Sequence, residues 1–397
     1  MRTTQLLSSL LLTVLLASAS LGQTVESVVG TRFGEVIDGV SVDEFQLFVL
    51  GQEDFMEVED AAEGLGPVFN GRGCSECHAI PRVGGSGTII EQRAGILRAD
   101  GSFVELEGGS LFQLFSLPPH TVQARIPAKA NSTAGRKSLA LFGLGLVEAV
   151  PDSTFLAMAD PSDRDGDGIS GRARRVFDPA TRRSRVGKFG WKAQQATLMA
   201  FGAEAYRDEM GITNDLFPEE ACPYGVDCEE VALADLLADP EDSPEPATGL
   251  RGIDLFETFM LFLGPPPRAA QITPKARRGE NVFAEIGCGS CHTPALESGS
   301  HPSPALSFKR FSPYGDFLLH DIDTGDGIGQ AAAAPNEVRT PPLWGLRVRG
   351  PLMHDGRASN FKHAIELHGG EAAASREAFR FLTPTERQEL LAFLRSL

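Results

Sequence analysis

Basic residues, cysteines and long apolar runs are all scarce in this sequence of 397 residues. Lys and Arg total 36 against 53 Asp and Glu, which gives a formal net charge of −17 at pH 7. Such an acidic surface repels polyanions, so nucleic acid and anionic membranes are not expected as partners. A small basic protein would be attracted, although a solvated acidic surface without a partner has the same composition.

The only sustained apolar run lies at the N-terminus, from Leu6 to Leu16, and follows Arg2. It is shorter than the roughly 20 residues that a membrane-spanning helix needs. Small residues follow it, so residues 1–22 are expected to be a cleaved secretory signal peptide, with a soluble periplasmic or secreted mature chain. No cysteine follows the run, so the sequence does not indicate a lipid anchor there.

The few cysteines are concentrated in two copies of one pattern. Residues 68–78 and 282–292 both read V-F-x-x-x-G-C-x-x-C-H, and these motifs contain four of the six cysteines. C-x-x-C-H is the attachment motif of a c-type haem, in which the histidine ligates the iron. A half zinc site, a redox dithiol or a structural disulfide would not require the shared prefix and the repeated histidine. The predicted haem-binding residues are Cys74, Cys77, His78, Cys288, Cys291 and His292.

The two remaining cysteines, Cys222 and Cys228, are close in sequence and lie in a loop-like segment. A local disulfide is the favoured interpretation, which agrees with export from the cytoplasm. A second dithiol active site is the alternative, but the spacing is not C-x-x-C.

A second repeated fragment indicates an internal duplication. Leu-Phe-Gly-Leu at residues 141–144 corresponds to Leu-Trp-Gly-Leu at residues 343–346, and each follows its own C-x-x-C-H motif. The predicted fold is therefore mainly α, with two cytochrome c-type haem domains that carry loop and short-strand insertions. Residues 23–270 would form the N-terminal domain and residues 271–397 the C-terminal one.

Local signals place several elements in this scheme. Thr273-Pro274 and the capping box at Thr383 predict helices that begin near those residues, and residues 250–263 read as a third helix. The stretch from Gly84 to Ile126 is rich in glycine, proline, serine and β-branched residues, which predicts short strands or extended loops.

An acidic segment between the two motifs has the opening pattern of a calcium loop. Asp163, Asp165 and Asp167 alternate and are followed by glycine and an aliphatic residue. Arg174 stands where a complete EF-hand loop has its bidentate glutamate. A calcium site completed by residues elsewhere in the chain is favoured over an acidic turn without an ion.

Longer segments resemble the bacterial di-haem oxidoreductase family, which is related to the di-haem cytochrome c peroxidases. The resemblance covers nearly all of the mature chain and implies two haems and an oxidoreductase activity, with a small cytochrome as electron donor and peroxide as oxidant. The segments that carry it are residues 143–152, 165–171, 189–193, 210–213, 216–218, 339–345, 354–358 and 368–372.

The resemblance also implies a second ligand for the C-terminal haem. In the wider peroxidase superfamily, the distal ligand lies fourteen positions after the histidine of a His-Asp-Gly segment. Counting from His354 leads to His368. A histidine at a helix end is the alternative, but position and chemistry together favour ligation of this haem by His292 and His368.

For the N-terminal haem, the superfamily has a tryptophan between the haems, a glutamine ten residues later, and then a Glu-Met pair. Trp191 matches the tryptophan and is the candidate electron relay, but Phe201 occupies the glutamine position. Cleavage of an O–O bond needs a group that takes a proton and delivers it to the leaving oxygen. Glu209 is the first candidate for this role and Glu148 the second, with a solvated helix acid as the alternative for Glu209.

No histidine follows His78 closely, since His120 comes first and reads as a loop residue. The N-terminal haem is therefore expected to have an open coordination position. The predicted function is a di-haem oxidoreductase in which the C-terminal haem receives electrons and the N-terminal haem reduces peroxide or a related oxidant. An electron-transfer cytochrome without such turnover and a di-haem oxidase that modifies a partner protein are the alternatives.

Overall fold

The computed structural model describes residues 25–28, 30–117, 124–226, 244, 246 and 248–397. The predicted signal peptide, His120 and Cys228 lie outside the described residues. Structural statements below concern the described ranges alone.

The regular elements are short, with connecting loops of varied length between them. The α-helices are α1 (Val42–Phe55), α2 (Cys74–Cys77), α3 (Leu144–Glu148), α4 (Asp152–Met158), α5 (Leu198–Ala205), α6 (Gly252–Phe262), α7 (Pro274–Glu285), α8 (Phe361–Glu366), α9 (Ala373–Phe381) and α10 (Pro384–Leu394). A π-helical turn (Tyr206–Met210) continues α5, and 3₁₀ turns span Cys288–Ser290, Leu346–Val348 and Gly370–Ala372.

The strands of the N-terminal part are β1 (Glu26–Ser27), β2 (Val68–Phe69), β3 (Ile90–Leu97), β4 (Phe103–Val104), β5 (Leu111–Phe112), β6 (Phe115–Ser116), β7 (Ser132–Lys137), β8 (Arg175–Asp178) and β9 (Arg183–Val186). Those that follow are β10 (Leu296–Glu297), β11 (Lys309–Phe311), β12 (Leu319–His320) and β13 (Val338–Arg339). The largest sheet is built on β3, which pairs antiparallel with β4, β5 and β7.

The expectation of a mainly α fold is wrong, because helix accounts for only 29% of the chain and strand for 16%. The physical reason is visible in the composition. With 43 glycines and 26 prolines, the chain breaks its helices early and leaves long stretches to turns and strand pairs. The pairing of β3 with β7 extends from Ile90↔Lys137 to Gly95↔Ser132, so this sheet is a main part of the fold rather than a minor insertion.

The three predicted helices are confirmed as α6, α7 and α10. The side chain of Thr273 accepts a hydrogen bond from the amide of Ala276, with Pro274 in the first turn of α7. Thr383 and Glu386 form the capping box of α10. Helix α7 packs along α10, and α1 packs along α6, so each half has one long helix pair. None of the described helices is both long and apolar enough to cross a membrane.

Besides two minor clusters of three buried residues each, two hydrophobic clusters fill the interior. The larger one contains Phe55, Phe142 and Phe259 and also takes in Trp344 from the C-terminal part. The smaller one is formed by residues between Val282 and Leu397. Because the larger cluster crosses residue 270, side chains from both sides of the predicted boundary are packed together, and the division into residues 23–270 and 271–397 stays a prediction.

The duplicated fragments have the same backbone conformation. Gly143 and Gly345 have φ values of 71° and 70° and lead into a helical turn each. A Cβ atom on Gly143 would lie 2.8 Å from ring carbons of Trp344, so glycine is required there by both conformation and space.

Candidate functional site

The two C-x-x-C-H segments form matching helical turns. The amide of His78 donates to the carbonyl of Cys74 at 3.0 Å, and the amide of His292 donates to that of Cys288 at 3.0 Å. An aromatic ring from the helix that opens each half faces each imidazole. The ring centroids are 6.2 Å apart for Phe55 with His78 and 6.2 Å apart for Phe283 with His292. The repeated Val-Phe prefix is not equivalent in structure, because Phe69 lies in β2 whereas Phe283 lies in α7.

Both motif histidines are oriented through one ring nitrogen. Nδ1 of His78 lies 3.0 Å from the carbonyl oxygen of Gly85, and Nδ1 of His292 lies 3.0 Å from that of Tyr314. Because a carbonyl only accepts, Nδ1 carries the proton and Nε2 keeps its lone pair. Burial lowers the pKa of both imidazoles, that of His292 to about 4, so both are neutral. Neutral imidazoles with a free Nε2 are suited to bind a metal.

The first motif opens into a cavity of about 1230 Å³, counting its mouth. We refer to it as the first cavity. Cys74, Cys77 and His78 line it together with Trp191 and Phe201. The apolar ring of Phe201 therefore lies at the position that the superfamily comparison assigned to a glutamine. Among the described residues, His78 is the only histidine that lines this cavity.

A pair of carboxyl groups also lines the first cavity. Asn70 donates from Nδ2 to Glu209 Oε2 at 2.6 Å, and the Glu209 side chain is hydrogen-bonded to Glu91. Burial, followed by the negative charge of Glu91, raises the pKa of Glu209 well above its usual range. Burial alone would raise the pKa of Glu91 too, but the charge of Arg93 lowers it to about 2. Glu209 is therefore the protonated member of the pair at neutral pH.

Glu209 lies in the π-helical turn that follows α5. Such turns insert one extra residue into the helical ladder and are frequent at functional sites. The turn holds the backbone carbonyl of Glu209 2.7 Å from the amide of Asn70, which directs the side chain along the cavity wall. Local backbone geometry thus positions the predicted catalytic acid.

Buried arginine side chains also line the first cavity. Arg93 Nε donates to Glu91 at 2.7 Å, and Arg136 Nε donates to Asp326 at 2.6 Å. Asp326 also pairs with Lys192 at 2.9 Å. Arg136 is only 2% exposed, and its Nη2 has no hydrogen-bond partner within the described ranges. This unpaired guanidinium nitrogen at the first cavity is suited to a carboxylate of a bound group, such as a haem propionate.

The second motif opens into a cavity of about 1560 Å³, counting its mouth, which we refer to as the second cavity. Cys288, Cys291, His292 and His368 all line it. Nδ1 of His368 lies 2.7 Å from the carbonyl oxygen of Ala364, so its Nε2 is also left free. The pKa of His292 is lowered first by burial and then by the charge that His368 would carry, which places the two imidazoles near one another.

The second cavity also contains buried guanidinium groups. Arg339 donates to the carbonyls of Gly190 and Thr340. Arg349 donates to the carbonyls of Pro342 and Trp344. Burial lowers the pKa of Arg339 to about 9 and that of Arg349 to about 10. No described carboxylate forms an ion pair with either group. Cavity size, neutral imidazoles and uncompensated cations together fit a haem with its two acidic side chains.

A charged cluster lies beside the second motif. His320 Nε2 is 3.0 Å from Asp316 Oδ2, and its Nδ1 is 2.7 Å from Glu371 Oε2. Burial alone would lower the pKa of His320, but hydrogen bonds to Asp316, Cys291 and Glu371 raise it to about 12. His320 is therefore protonated at neutral pH, and the sequence prediction did not identify it. His320 and Glu371 were separated by 51 positions, so no local pattern joined them.

Trp191 lies between the two cavities and lines both. Its indole Nε1 donates to the carbonyl of Lys137 at 2.7 Å, and its ring is 6.1 Å from that of His354 in an edge-on arrangement. Its own carbonyl accepts from the amide of Arg339 at 2.8 Å. The tryptophan is therefore fixed in place by hydrogen bonds on both sides.

The other predicted residues lie away from the cavities. Glu148 lines neither cavity, and its carboxylate accepts a hydrogen bond from the amide of Leu198 at the start of α5. It therefore caps α5, a helix whose side chains line part of the first cavity. Cys222 is engaged in a disulfide, while its predicted partner is outside the described part of the chain.

The acidic loop has the compact form that its sequence predicted. Oxygen atoms of Asp163, Asp165 and Asp167 lie within 4.8 Å of one another. All three carboxylates also accept from loop amides, at 3.3 Å for the amide of Asp167, 3.1 Å for that of Gly168 and 2.8 Å for that of Ile169. The geometry permits a cation, and the assignment to calcium stays a prediction.

Some residues that line the first cavity could not be identified from the sequence, because no motif marks them. Glu91 and Arg93 lie on β3, within the stretch that was read only as short strands or loops, and Arg136 lies on β7, beyond that stretch. The one available signal was the spacing of Glu91 and Arg93, since residues two apart in a strand share a face. A pair of opposite charges on one face of a strand would have suggested a buried ion pair.

Comparison with known proteins gives a family. The sequence pattern of the family described as "Di-haem oxidoreductase, putative peroxidase" matches residues 111–397. The methylamine utilization protein MauG of Methylorubrum extorquens is 32% identical over 216 residues, which are 48% of this chain and 54% of that protein. The MauG of Methylophilus methylotrophus is 30% identical over 142 residues, which are 32% of this chain and 37% of that protein.

The match therefore spans about half the length of the first of these relatives. Among solved structures, a variant of the diheme peroxidase BthA from Burkholderia thailandensis has 16% sequence identity and a TM-score of 0.42, with 94% of this chain and 92% of that one covered. The family pattern covers well over half of the chain and contains the second C-x-x-C-H motif, Trp191, Glu209 and His368. This chain belongs to the di-haem oxidoreductase family.

Proposed function

We propose that this protein is an exported di-haem c-type oxidoreductase whose first cavity reduces peroxide with electrons that enter through the second. The observation that carries the proposal is the asymmetry of the cavities. In the second cavity His292 is matched by His368, whereas His78 in the first faces a protonated acid, Glu209, and no further described histidine. The second cavity would thus hold an iron through two histidines, and the first cavity would hold one through His78 alone.

The cysteines would hold the two haems covalently, as C-x-x-C-H motifs do, and the motif histidines would be the proximal ligands. When bound, haem iron supplies electrons and a coordination position at which an O–O bond can be cleaved. The protein contributes orientation, because the backbone carbonyls of Gly85 and Tyr314 fix the tautomer of each histidine.

Glu209 supplies the proton that cleavage requires. Its protonated carboxyl would give a proton to the leaving oxygen of a peroxide in the first cavity and would regain one from the other oxygen, so the protons balance. Asn70 holds the carboxyl in place at 2.6 Å, and Glu91 stays ionised beside it. The raised pKa keeps Glu209 protonated through neutral pH, which suits a general acid.

Trp191 would be the relay for electrons, since it lies between the cavities. The electron donor would be a small basic cytochrome, because the net charge of −17 attracts a basic partner. A location in the periplasm follows from the haem attachment motif, and residues 1–22 would be the export signal. A calcium ion at Asp163, Asp165 and Asp167 is a further part of this assignment.

A carrier without peroxide turnover is the second candidate. The observation in its favour is Phe201, which lines the first cavity where a polar group would orient peroxide, together with the thioethers of Met210 and Met260 in the same wall. A methionine sulfur that occupied the open position would convert the first haem into a closed carrier.

The test is a steady-state assay of hydrogen peroxide with a reduced small cytochrome c as donor. The proposal expects oxidation of the cytochrome that depends on both peroxide and protein. Cyanide should inhibit this oxidation and shift the Soret band of only one haem. Absence of turnover, with no spectral response to cyanide, would favour the carrier.

A further inference from the structure

Beside the first cavity lies a polar cleft of about 1440 Å³, counting its open part, which the proposed function does not use. Four side chains line both the cleft and the first cavity, namely Arg93, Gln194, Glu204 and Asp208. These residues form a partition one side chain thick between the two spaces. A small molecule in the cleft is therefore separated from the first cavity only by side chains.

The cleft contains two buried acceptors without donors. Gln113 is 3% exposed and Gln195 is 6% exposed, and neither side-chain oxygen receives a hydrogen bond from the described residues. The Nε2 of Gln113 donates to the carbonyl of Asp208 at 3.0 Å, which fixes the orientation of this amide. An unpaired buried acceptor is unfavourable, so such a site favours molecules that carry O–H or N–H donors.

The charges of the cleft select against anions. Five of its lining side chains are acidic and three are basic. Two of the basic ones are already paired, Arg93 with Glu91 and Arg207 with Asp208 at 2.7 Å. An anionic oxidant would meet repulsion, whereas a neutral hydroperoxide would not. At the same time Phe177, which is 68% exposed, offers an apolar surface for an organic group.

We infer that this cleft is the entrance and first binding site for the oxidant of the first haem, and that it takes small neutral hydroperoxides, alkyl hydroperoxides included. The amide oxygens of Gln113 and Gln195 accept from the O–H group. The partition side chains, Glu204 among them, then separate the bound molecule from Glu209. The inference rests on the proposed open position of the first haem and adds the route and class of its oxidant.

The test blocks the cleft and measures ligand entry rather than turnover. Ala332 lines the cleft and is exposed in the turn at residues 330–333. Its neighbour Ala331 is unsuitable, because it has a positive φ of 48°. Stopped-flow mixing of the ferric holoprotein with cyanide, which is present as neutral hydrogen cyanide at pH 7, follows the Soret shift of the first haem.

Ala332→Trp should lower the association rate about tenfold, with Ala332→Leu in between and Ala332→Ser at the wild-type value. Ala99→Trp is the matched control, since Ala99 is also an exposed turn alanine but lines none of the three spaces. The rate at which tert-butyl hydroperoxide changes the Soret band of the first haem should fall more steeply along the Ala332 series than the corresponding rate for hydrogen peroxide.

The graded series keeps the result decisive if the largest variant fails to fold, because the Leu and Ser variants still define a trend. Equal rates of cyanide association across the Ala332 series would refute the assignment of the cleft as the entrance. The proposal that the first haem has an open coordination position would be unaffected. If the wild-type protein binds no cyanide at all, the open haem is wrong and the entrance falls with it.

Discussion

Replacement of Glu209 by glutamine tests the assigned proton donor most sharply. The amide oxygen of glutamine can accept from Asn70 as Glu209 Oε2 does at 2.6 Å, and its NH₂ group can donate to Glu91 as the protonated carboxyl does. The variant therefore copies the shape and the hydrogen bonds of the protonated acid but cannot release the proton. Its effect should be confined to proton transfer.

Loss of a general acid typically costs 10²–10⁴-fold in rate, which corresponds to about 3–5 kcal/mol in the barrier. Glu209→Gln should reduce the rate of the peroxide reaction by about this factor, measured by stopped flow on the reduced protein. Cyanide binding should stay near the wild-type value, because hydrogen cyanide loses a proton on binding and the already protonated Glu209 does not take it up. In the wild type, the rate should fall as pH rises through the raised pKa of Glu209, where the carboxyl loses its proton.

Glu148→Gln is the matched control. Burial raises the pKa of this carboxyl as well, but it binds the amide of Leu198 outside both cavities. The control should keep the wild-type peroxide rate. Equal losses in the two variants, or no loss in Glu209→Gln, would refute the assignment of Glu209 as proton donor.

Three further changes have definite expected outcomes. His368→Ala should convert the low-spin ferric signal of the second haem into a high-spin one in the electron paramagnetic resonance spectrum. Asp326→Asn should lower the free energy of unfolding by about 3–5 kcal/mol in guanidinium titrations, because it removes the short ion pairs of the buried Arg136 and Lys192 and leaves Arg136 only the more distant Glu91 at 3.9 Å. Burial raises the pKa of Glu257 from 4.5 to about 8, so the native state binds more protons than the unfolded state between these values, and stability falls as pH rises through them. Glu257→Gln should remove this part of the decline, and unfolding midpoints at pH 5 and pH 9 would measure it.

Exposed groups provide the controls for these changes. His363→Ala, on α8 just before His368, should leave the spectrum unchanged. Asp160→Asn breaks a surface pair with Arg164 and should leave the free energy of unfolding nearly unchanged. Glu285→Gln, at the exposed end of α7, should not alter the pH profile of stability. An effect of a control equal to that of its partner would contradict the structural reason given for that partner.

Residues whose roles depend on local sequence were the ones that could be predicted. The caps at Thr273 and Thr383 define α7 and α10, because a helix start is decided within four residues. The two C-x-x-C-H motifs likewise fix their own turns through the bond from the histidine amide to the first cysteine carbonyl. Such patterns do not depend on the rest of the chain.

Residues whose roles depend on tertiary pairing could not be predicted. The role of Glu91 depends on its contacts with Arg93 on the same strand and with Glu209, which is more than one hundred positions away. The mainly α expectation failed for the same reason, since the pairing of β3 with β7 is decided by a long-range register. The helical reading of the region around Glu209 also could not show a π-helical turn, because helix propensity does not specify the hydrogen-bond register.

Electron paramagnetic resonance of the purified ferric protein tests the asymmetry of the two cavities most directly, because it reports the ligation of each iron separately. The proposal predicts one high-spin signal from the haem at His78 and one low-spin, bis-histidine signal from the haem at His292 and His368. Addition of cyanide should convert only the high-spin signal. Two low-spin signals that do not respond to cyanide would contradict the proposal that the first cavity keeps an open position for an oxidant.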